Sequence, residues 1–261
     1  MDKFLSFENV TKIYDGKVVI NDLSHEFRKG EAVAFTGHNG CGKSTLLKII
    51  AGLVRINKGR IVQSGKLRCS YVPEKMPAPD ITALSYLKSV ADMERVDHSE
   101  VMSLAEDFFL DGMLYTKMGN MSKGSIQKIG VVQALMAPKD IILLDEPLNG
   151  QDADSQNVFI AKINELKSKG VTVFMSCHEK KLINEIADKQ YDIIKGKLSE
   201  VDIVRTVMYR VYVKNGNLVP WPDMVRHGHR YIIEVREKDL KDTVQKLYAE
   251  NWELVGIDES N

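Results

Sequence analysis

Short apolar runs and amphipathic stretches alternate along most of this chain. Between residues 4 and 36 the runs FLSFENV, VVINDLSHEF and EAVAF have strand character, and Gly37 ends the third abruptly. From Lys43 the segment STLLKIIAGL places apolar residues at helical spacing, with Gly52 as its stop. Residues 60–73 read as further strands. Residues 80–137 change character: LSYLKSVADM, EVMSLAEDFFL and IQKIGVVQALM keep a helical period without long strand signals. IILLD (141–145) is a short apolar run stopped by charge and by Pro147, which predicts a buried strand. VFIAKINELKSK predicts an amphipathic helix, and VTVFMSC a second buried strand. Beyond about residue 207, YRVYVK, RYIIEVR and WELVGI read as strands and KDLKDTVQKLYAEN as a helix.

Strands that alternate with helices argue for an α/β fold around a mainly parallel sheet, with 80–137 inserted as a helical subdomain. The expected domains are 1–206 and a small α+β extension, 207–261, with its most flexible point at Pro220, Trp221 and Pro222. Trp221 and Trp252 read as packing residues. A chain of 261 residues accommodates one or two domains, and no internal repeat or low-complexity tract interrupts it.

Composition narrows the function. Lys+Arg and Asp+Glu both number 36, which argues against a broad basic surface for nucleic acid. Cys41, Cys69 and Cys177 are too widely spaced for a metal or redox motif and read as reduced thiols. MDKFLSFENV has no secretory apolar stretch, and no segment approaches the ~20 apolar residues that span a bilayer. Any membrane role is expected to run through a partner.

The chemistry lies in GHNGCGKS, residues 37–44, which fits G-x-x-x-x-G-K-[ST] between a strand and a helix. Gly37, His38, Asn39, Gly40, Cys41, Gly42, Lys43, Ser44 and Thr45 form the expected nucleotide-binding loop. Glycines let several backbone N–H groups converge on one anion, and the helix start adds its positive dipole end. Lys43 supplies a charge for the β- and γ-phosphates, and the Ser44 hydroxyl a ligand for Mg²⁺. Asp145, ending IILLDEP, is the expected metal-holding acid, and Glu146 the group beside the attacking water. Cys41 sits where a helix dipole favours thiolate, so oxidation there would block ATP; the alternative is a small residue that merely fits the loop.

These residues resemble the ATP-binding cassette (ABC) family across residues 3–205. MSKGSIQK, residues 121–128, occupies the slot of the family's signature, with Ser122 and Gly124 matching and Lys123 departing from the usual glycine; Ser125 replaces the usual glutamine. The lysine variant is similar to that of bacterial drug- or peptide-export cassettes. Tyr14 matches the aromatic that stacks on adenine, Asp152 the D-loop aspartate and His178 the switch histidine. Glu74 stands where the Q-loop glutamine is usual; as a hard oxygen ligand it is counted with Ser44 and Asp145 as a metal residue.

The resemblance implies an α/β fold: a P-loop NTPase core with a mainly parallel sheet, an antiparallel β N-terminal subdomain, the helical insertion and a small α+β C-terminal appendage. It implies a Mg²⁺-dependent ATPase with Glu146 and His178 catalytic. It also implies a head-to-tail dimer, with a second copy or a homologous cassette, in which Ser122, Lys123 and Gly124 reach the partner's nucleotide. The expected partners are transmembrane permease subunits, with the chain peripheral at the cytoplasmic membrane face and driving transport, and the Lys123 signature points to export. A soluble cassette acting on ribosomes or DNA, and a slow nucleotide-gated regulatory module, stay open as alternatives.

Overall fold

Three strands are buried at every position: β3 (Ala32–Thr36), β6 (Ile141–Asp145) and β7 (Thr172–Ser176). Parallel strands covered on both faces show this continuous apolar pattern instead of alternation. In the computed structural model, which describes residues 4–148, 151–203, 208–214 and 219–260, these strands form the middle of a six-stranded sheet. The remaining elements, in chain order, are β1 (Leu5–Tyr14), β2 (Lys17–Phe27), α1 (Lys43–Ile50), β4 (Lys58–Gln63), β5 (Cys69–Val72), α2 (Ala83–Glu94), α3 (His98–Asp107), α4 (Lys123–Met136), α5 (Ala153–Ser168), α6 (Lys180–Ile186), β8 (Lys189–Ile194) and β9 (Lys197–Val201). The second part of the chain adds β10 (Met208–Lys214), β11 (Val225–His227), β12 (Arg230–Arg236), α7 (Glu237–Ala249) and β13 (Glu253–Ser260).

The main sheet runs β5-β6-β7-β3-β8-β9, parallel except for the β8–β9 pair. Consecutive side chains on its central strands enter different cores. Val33, Phe35, Ile141, Leu143 and Phe174 pack with α1 and with residues of β1 and β2. Ala32, Ala34, Ile142, Leu144, Val173 and Met175 pack with the helical segments. A separate antiparallel sheet, β2-β1-β4, forms the N-terminal β layer.

Aromatic packing concentrates on the first core. The Phe174 ring meets Phe27 edge-on at 4.9 Å and stacks on Phe35 at 6.0 Å. Phe174→Ala is expected to destabilise the chain by about 3–5 kcal/mol in equilibrium urea unfolding, through lost transfer energy and an unfilled cavity. A loss under about 1 kcal/mol would show that the sheet relaxes to fill the space.

The chain divides into two compact units, Met1–Ile203 and Val204–Asn261. The boundary expected at 206/207 lies outside the described residues. The second unit is a four-stranded antiparallel sheet, β11-β12-β10-β13, with α7 between β12 and β13. Val211, Val213, Ile233, Val235, Leu247 and Trp252 form its core, and Trp221 packs against it while donating from Nε1 to Glu250 Oε2 at 2.6 Å. Both tryptophans are therefore structural. Among the described residues no helix is long and apolar enough to cross a membrane.

Candidate active site

Four strands of the main sheet deliver their carboxyl ends to one place. β3 leads into the loop 37–42, β5 into Pro73 and Glu74, β6 ends on Asp145 and β7 leads into Cys177 and His178. Ligand crevices of open parallel sheets lie at such strand ends. Here a cavity of about 520 Å³ is lined by Asn39, Gly40, Gly42, Lys43, Ser44 and Thr45 from the loop and α1, with Val19, Glu74, Glu146 and His178 around it.

The loop depends on glycine at two points. Gly37 has φ 127°, and a Cβ there would lie 2.9 Å from Cys41 Sγ and 3.2 Å from the Ile193 carbonyl. Gly42 has φ 120°, with Val19 and Ile20 side chains 3.1 and 3.2 Å from any added Cβ. Neither place admits a side chain. Gly42 then caps α1, whose first turn has no side-chain cap and no acidic residue. Gly42, Lys43, Ser44 and Thr45 line the cavity, so the uncapped start of the helix meets it, the arrangement that binds anions.

Lys43 is 7% exposed. Its Nζ donates to the Gly37 carbonyl at 3.0 Å and lies 3.0 Å from His178 Nε2. The same Nε2 lies 3.3 Å from Glu146 Oε1. One ring nitrogen thus faces two partners: it accepts from Lys43 in the Nδ1–H tautomer, or donates to Glu146 when protonated.

Asp145 is held from three sides. Its Oδ1 accepts from Ser44 Oγ (2.9 Å) and Ser176 Oγ (2.6 Å), and its Oδ2 from Tyr71 OH (3.1 Å). Burial and the nearby Asp145 charge push the Tyr71 phenol well above its ordinary range, so it stays a donor. Glu146 follows in a left-handed backbone conformation, φ 49°, its N–H shared between the carbonyl and hydroxyl of Ser176, both at 3.1 Å. A glutamate in that region is strained and needs such support. Burial raises its carboxyl pKa; His178 and Lys43 pull the other way, and Asp145 and Glu74 add to the rise.

Other expected residues lie elsewhere. Tyr14 ends β1, 41% exposed, with Lys12 Nζ 4.5 Å from its ring centroid; it does not line the cavity. Cys41 is buried in the first core and Cys177 beside His178, where burial and Glu146 raise its thiol to about 12. A buried Cys41 fits the bland alternative of a residue that fills the loop. His38 is exposed, its Nδ1 2.9 Å from the Asn39 carbonyl. Ser122 caps α4, accepting from the Ser125 N–H at 3.1 Å; Lys123 and Gly124 form the first turn. Asp152 caps α5, and Lys128 pairs with it at 2.9 Å, holding its carboxyl far below the usual range. None of Ser122, Lys123, Gly124 and Asp152 lines the cavity of its own chain.

The supporting side chains Tyr71, Ser176 and Val19 were missed by sequence reasoning. Tyr71 lies three residues before Glu74 and Ser176 two before His178, but only strand pairing brings them to Asp145; Val19 lies in no motif.

A strand, glycine loop and helix, with an acid on a second strand aimed at the helix start, define a P-loop nucleotide-hydrolysing core. The family model described as ABC transporter matches residues 20–149. An uncharacterized ABC transporter ATP-binding protein of Methanocaldococcus jannaschii is 31% identical over 225 residues, covering 82% of this chain and 85% of that protein. The zinc import ATP-binding protein ZnuC 1 of Aliivibrio fischeri is 31% identical over 193 residues, 72% of this chain and 74% of that protein. A solved ATP-binding subunit of an ABC transporter superposes with TM-score 0.69 at 25% identity, over 76% of this chain and 89% of that one. The chain belongs to the ABC transporter family and is one of its ATP-binding subunits, an ATPase.

Proposed function

We propose that this subunit binds and hydrolyses Mg-ATP at Lys43 and Glu146, in a head-to-tail pair of cassettes, to drive import through separate membrane permeases. The observation that carries the hydrolytic part is the meeting of Lys43 Nζ and Glu146 Oε1 at one His178 nitrogen, on the rim of the glycine-loop cavity. A terminal phosphate drawn to the loop N–H groups and Lys43 would lie beside a carboxylate able to take a proton from water. His178 then orients that carboxylate.

The residues present fit a magnesium ion. Ser44 Oγ and the Asp145 carboxylate lie together, and Glu74 lines the same cavity, giving hard oxygen donors suited to Mg²⁺. Bound with ATP, the ion would neutralise charge on the β- and γ-phosphates. Within this chain, Ser176 and Tyr71 hold the Asp145 carboxyl group in place beside Ser44.

Ser122, Lys123 and Gly124 stand away from their own chain's cavity, which suits donors that act on a partner's nucleotide. A free helix start after the Ser122 cap gives them an anion-binding edge. Tyr14 would stack on adenine with Lys12 on its other side, and Asp152 would face the paired cassette.

Import replaces the export direction expected from Lys123. The supporting observation is that several similar proteins bear the name zinc import ATP-binding protein, including those of Aliivibrio fischeri and Rickettsia bellii. Zinc is accordingly the first cargo to test, and the cytoplasmic membrane face the expected location. Purification under native conditions should yield a membrane-spanning permease with this chain and zinc uptake that depends on both. A ribosome or DNA fragment in its place would overturn the transport assignment.

Glu74 allows a sharper test. Its charge contributes to the raised Glu146 pKa. Glu74→Gln is expected to hydrolyse ATP at least as fast as the parent, with the acidic limb of the pH–rate profile moved to lower pH. Loss of hydrolysis in a folded Glu74→Gln variant would contradict that expectation.

A further inference from the structure

Helix α4 starts at the signature residues, and three positions on it grip loops that flank the cavity. Gln127 is 4% exposed, and most of the buried residues that follow it on α4 are apolar. Its Nε2 donates to the Pro73 carbonyl at 2.9 Å. A buried amide holding a loop carbonyl is costly to disrupt, because the carbonyl or the amide is left unsatisfied. One turn on, a Cβ added to Gly130 would lie 3.0 Å from Met76 Sδ, so Met76 rests directly on the helix backbone. Residues 73 and 76 are therefore both fixed to α4, and Glu74 lies between them on the cavity wall.

Lys128, the next residue after Gln127, holds the other loop. Its side chain is 12% exposed and its Nζ lies 2.9 Å from Asp152 Oδ2. The other Asp152 oxygen accepts from the Ser155 N–H at 2.9 Å and caps α5. One rigid helix thus connects Ser122–Gly124 at its start to the Glu74 loop on one side and the α5 cap on the other.

We propose that Gln127 and Lys128 are positioning residues: through α4 they set Glu74 and Asp152 according to where the signature residues sit. When a partner's nucleotide draws the signature turn toward itself, the Glu74 loop and the α5 cap move with it. Binding in trans thereby adjusts the chain's own site. The inference rests on Glu74 and Asp152 belonging to the ATPase machinery.

The test uses the full chain and separates ATP affinity from turnover. Gln127→Leu keeps the buried volume but removes the amide. It is expected to lower kcat about tenfold while ATP affinity stays within about twofold, the pattern of a group acting only in the reacting complex. In a Glu74→Ala background the same change should cost nothing further, because coupled residues are not additive. Lys128→Met is expected to slow turnover similarly and Lys128→Arg to restore it. Met76→Ala supplies an independent arm should Gln127→Leu fail to fold, with a smaller loss in the same direction. Full-rate Gln127→Leu and Met76→Ala, or losses that simply multiply with that of Glu74→Ala, would overturn the proposal. If Glu74→Ala itself runs at the parent rate, the assignment of Glu74 fails and takes this inference with it. If Glu74→Ala is slow but Gln127→Leu is not, only the inference fails.

Discussion

Glu146→Gln is expected to lose hydrolysis by about 10²–10⁴-fold, the usual contribution of a positioned general base. ATP binding should persist within a few-fold of the parent. The substitution keeps the shape of the side chain and its approach to His178 but removes the proton acceptor. Its backbone support, the shared N–H to Ser176, does not depend on the carboxylate. ATP that binds and is not consumed should hold cassettes together, so gel filtration with Mg-ATP is expected to show an accumulated dimer. Turnover at the parent rate would remove Glu146 as the base.

The raised Glu146 pKa adds a signed prediction about pH. On the proposed mechanism the carboxylate is the active form, so the parent's rate should climb as pH rises through that elevated value. Stability runs the opposite way. A carboxyl whose folded pKa exceeds its unfolded one costs stability once ionised, and that cost develops as pH rises from the ordinary glutamate pKa through the folded one. Below the ordinary value both states are protonated and the cost vanishes. Glu146→Gln should therefore melt higher than the parent at neutral pH and at the same temperature in acid. The desolvation cost held at a reacting group is recovered when the group is neutralised.

Much of this site was legible because its physics is local. The P-loop needs glycine where φ is positive and a Cβ would collide, so Gly37 and Gly42 declare themselves in sequence. β3, β6 and β7 were visible as unbroken apolar runs because both their faces are covered. β8 and β9 were not: Lys189–Ile194 and Lys197–Val201 carry mixed residues, and β8 owes its place to pairing with β3. The short helix α6 and the three-residue β11 give too few positions for a period to register. The partners of Asp145 were hidden for a related reason. Tyr71 and Ser176 are 74 and 31 residues from it, and only the registers Val72↔Leu144 and Asp145↔Ser176 bring their oxygens to its carboxylate. Function followed the same division. The motor was readable from motif spacing, whereas Lys123 pointed to export and the zinc import relatives point to import. One residue of the signature carries no physical information about which way a permease moves its cargo.

Lys43→Ala is expected to weaken ATP binding by about 100-fold or more, since charge-assisted bonds to phosphate contribute about 1.5–3 kcal/mol each. The ammonium is buried at 7% exposure, and its partners in this structure are a neutral carbonyl and an imidazole. It is held ready for an anion by groups that do not neutralise it. ATP should suffer more than ADP, because on the proposed binding mode a γ-phosphate would reach the Lys43–His178 pair while the loop N–H groups would serve the inner ones. Calorimetric titration with Mg-ATP and Mg-ADP reads both losses on one protein. Thermal stability measured without nucleotide should change little, because truncation also removes a buried charge, and that control separates lost binding from lost folding. ATP affinity within about twofold of the parent would mean that Lys43 does not carry phosphate recognition, and the ATPase assignment of this cavity would fall with it.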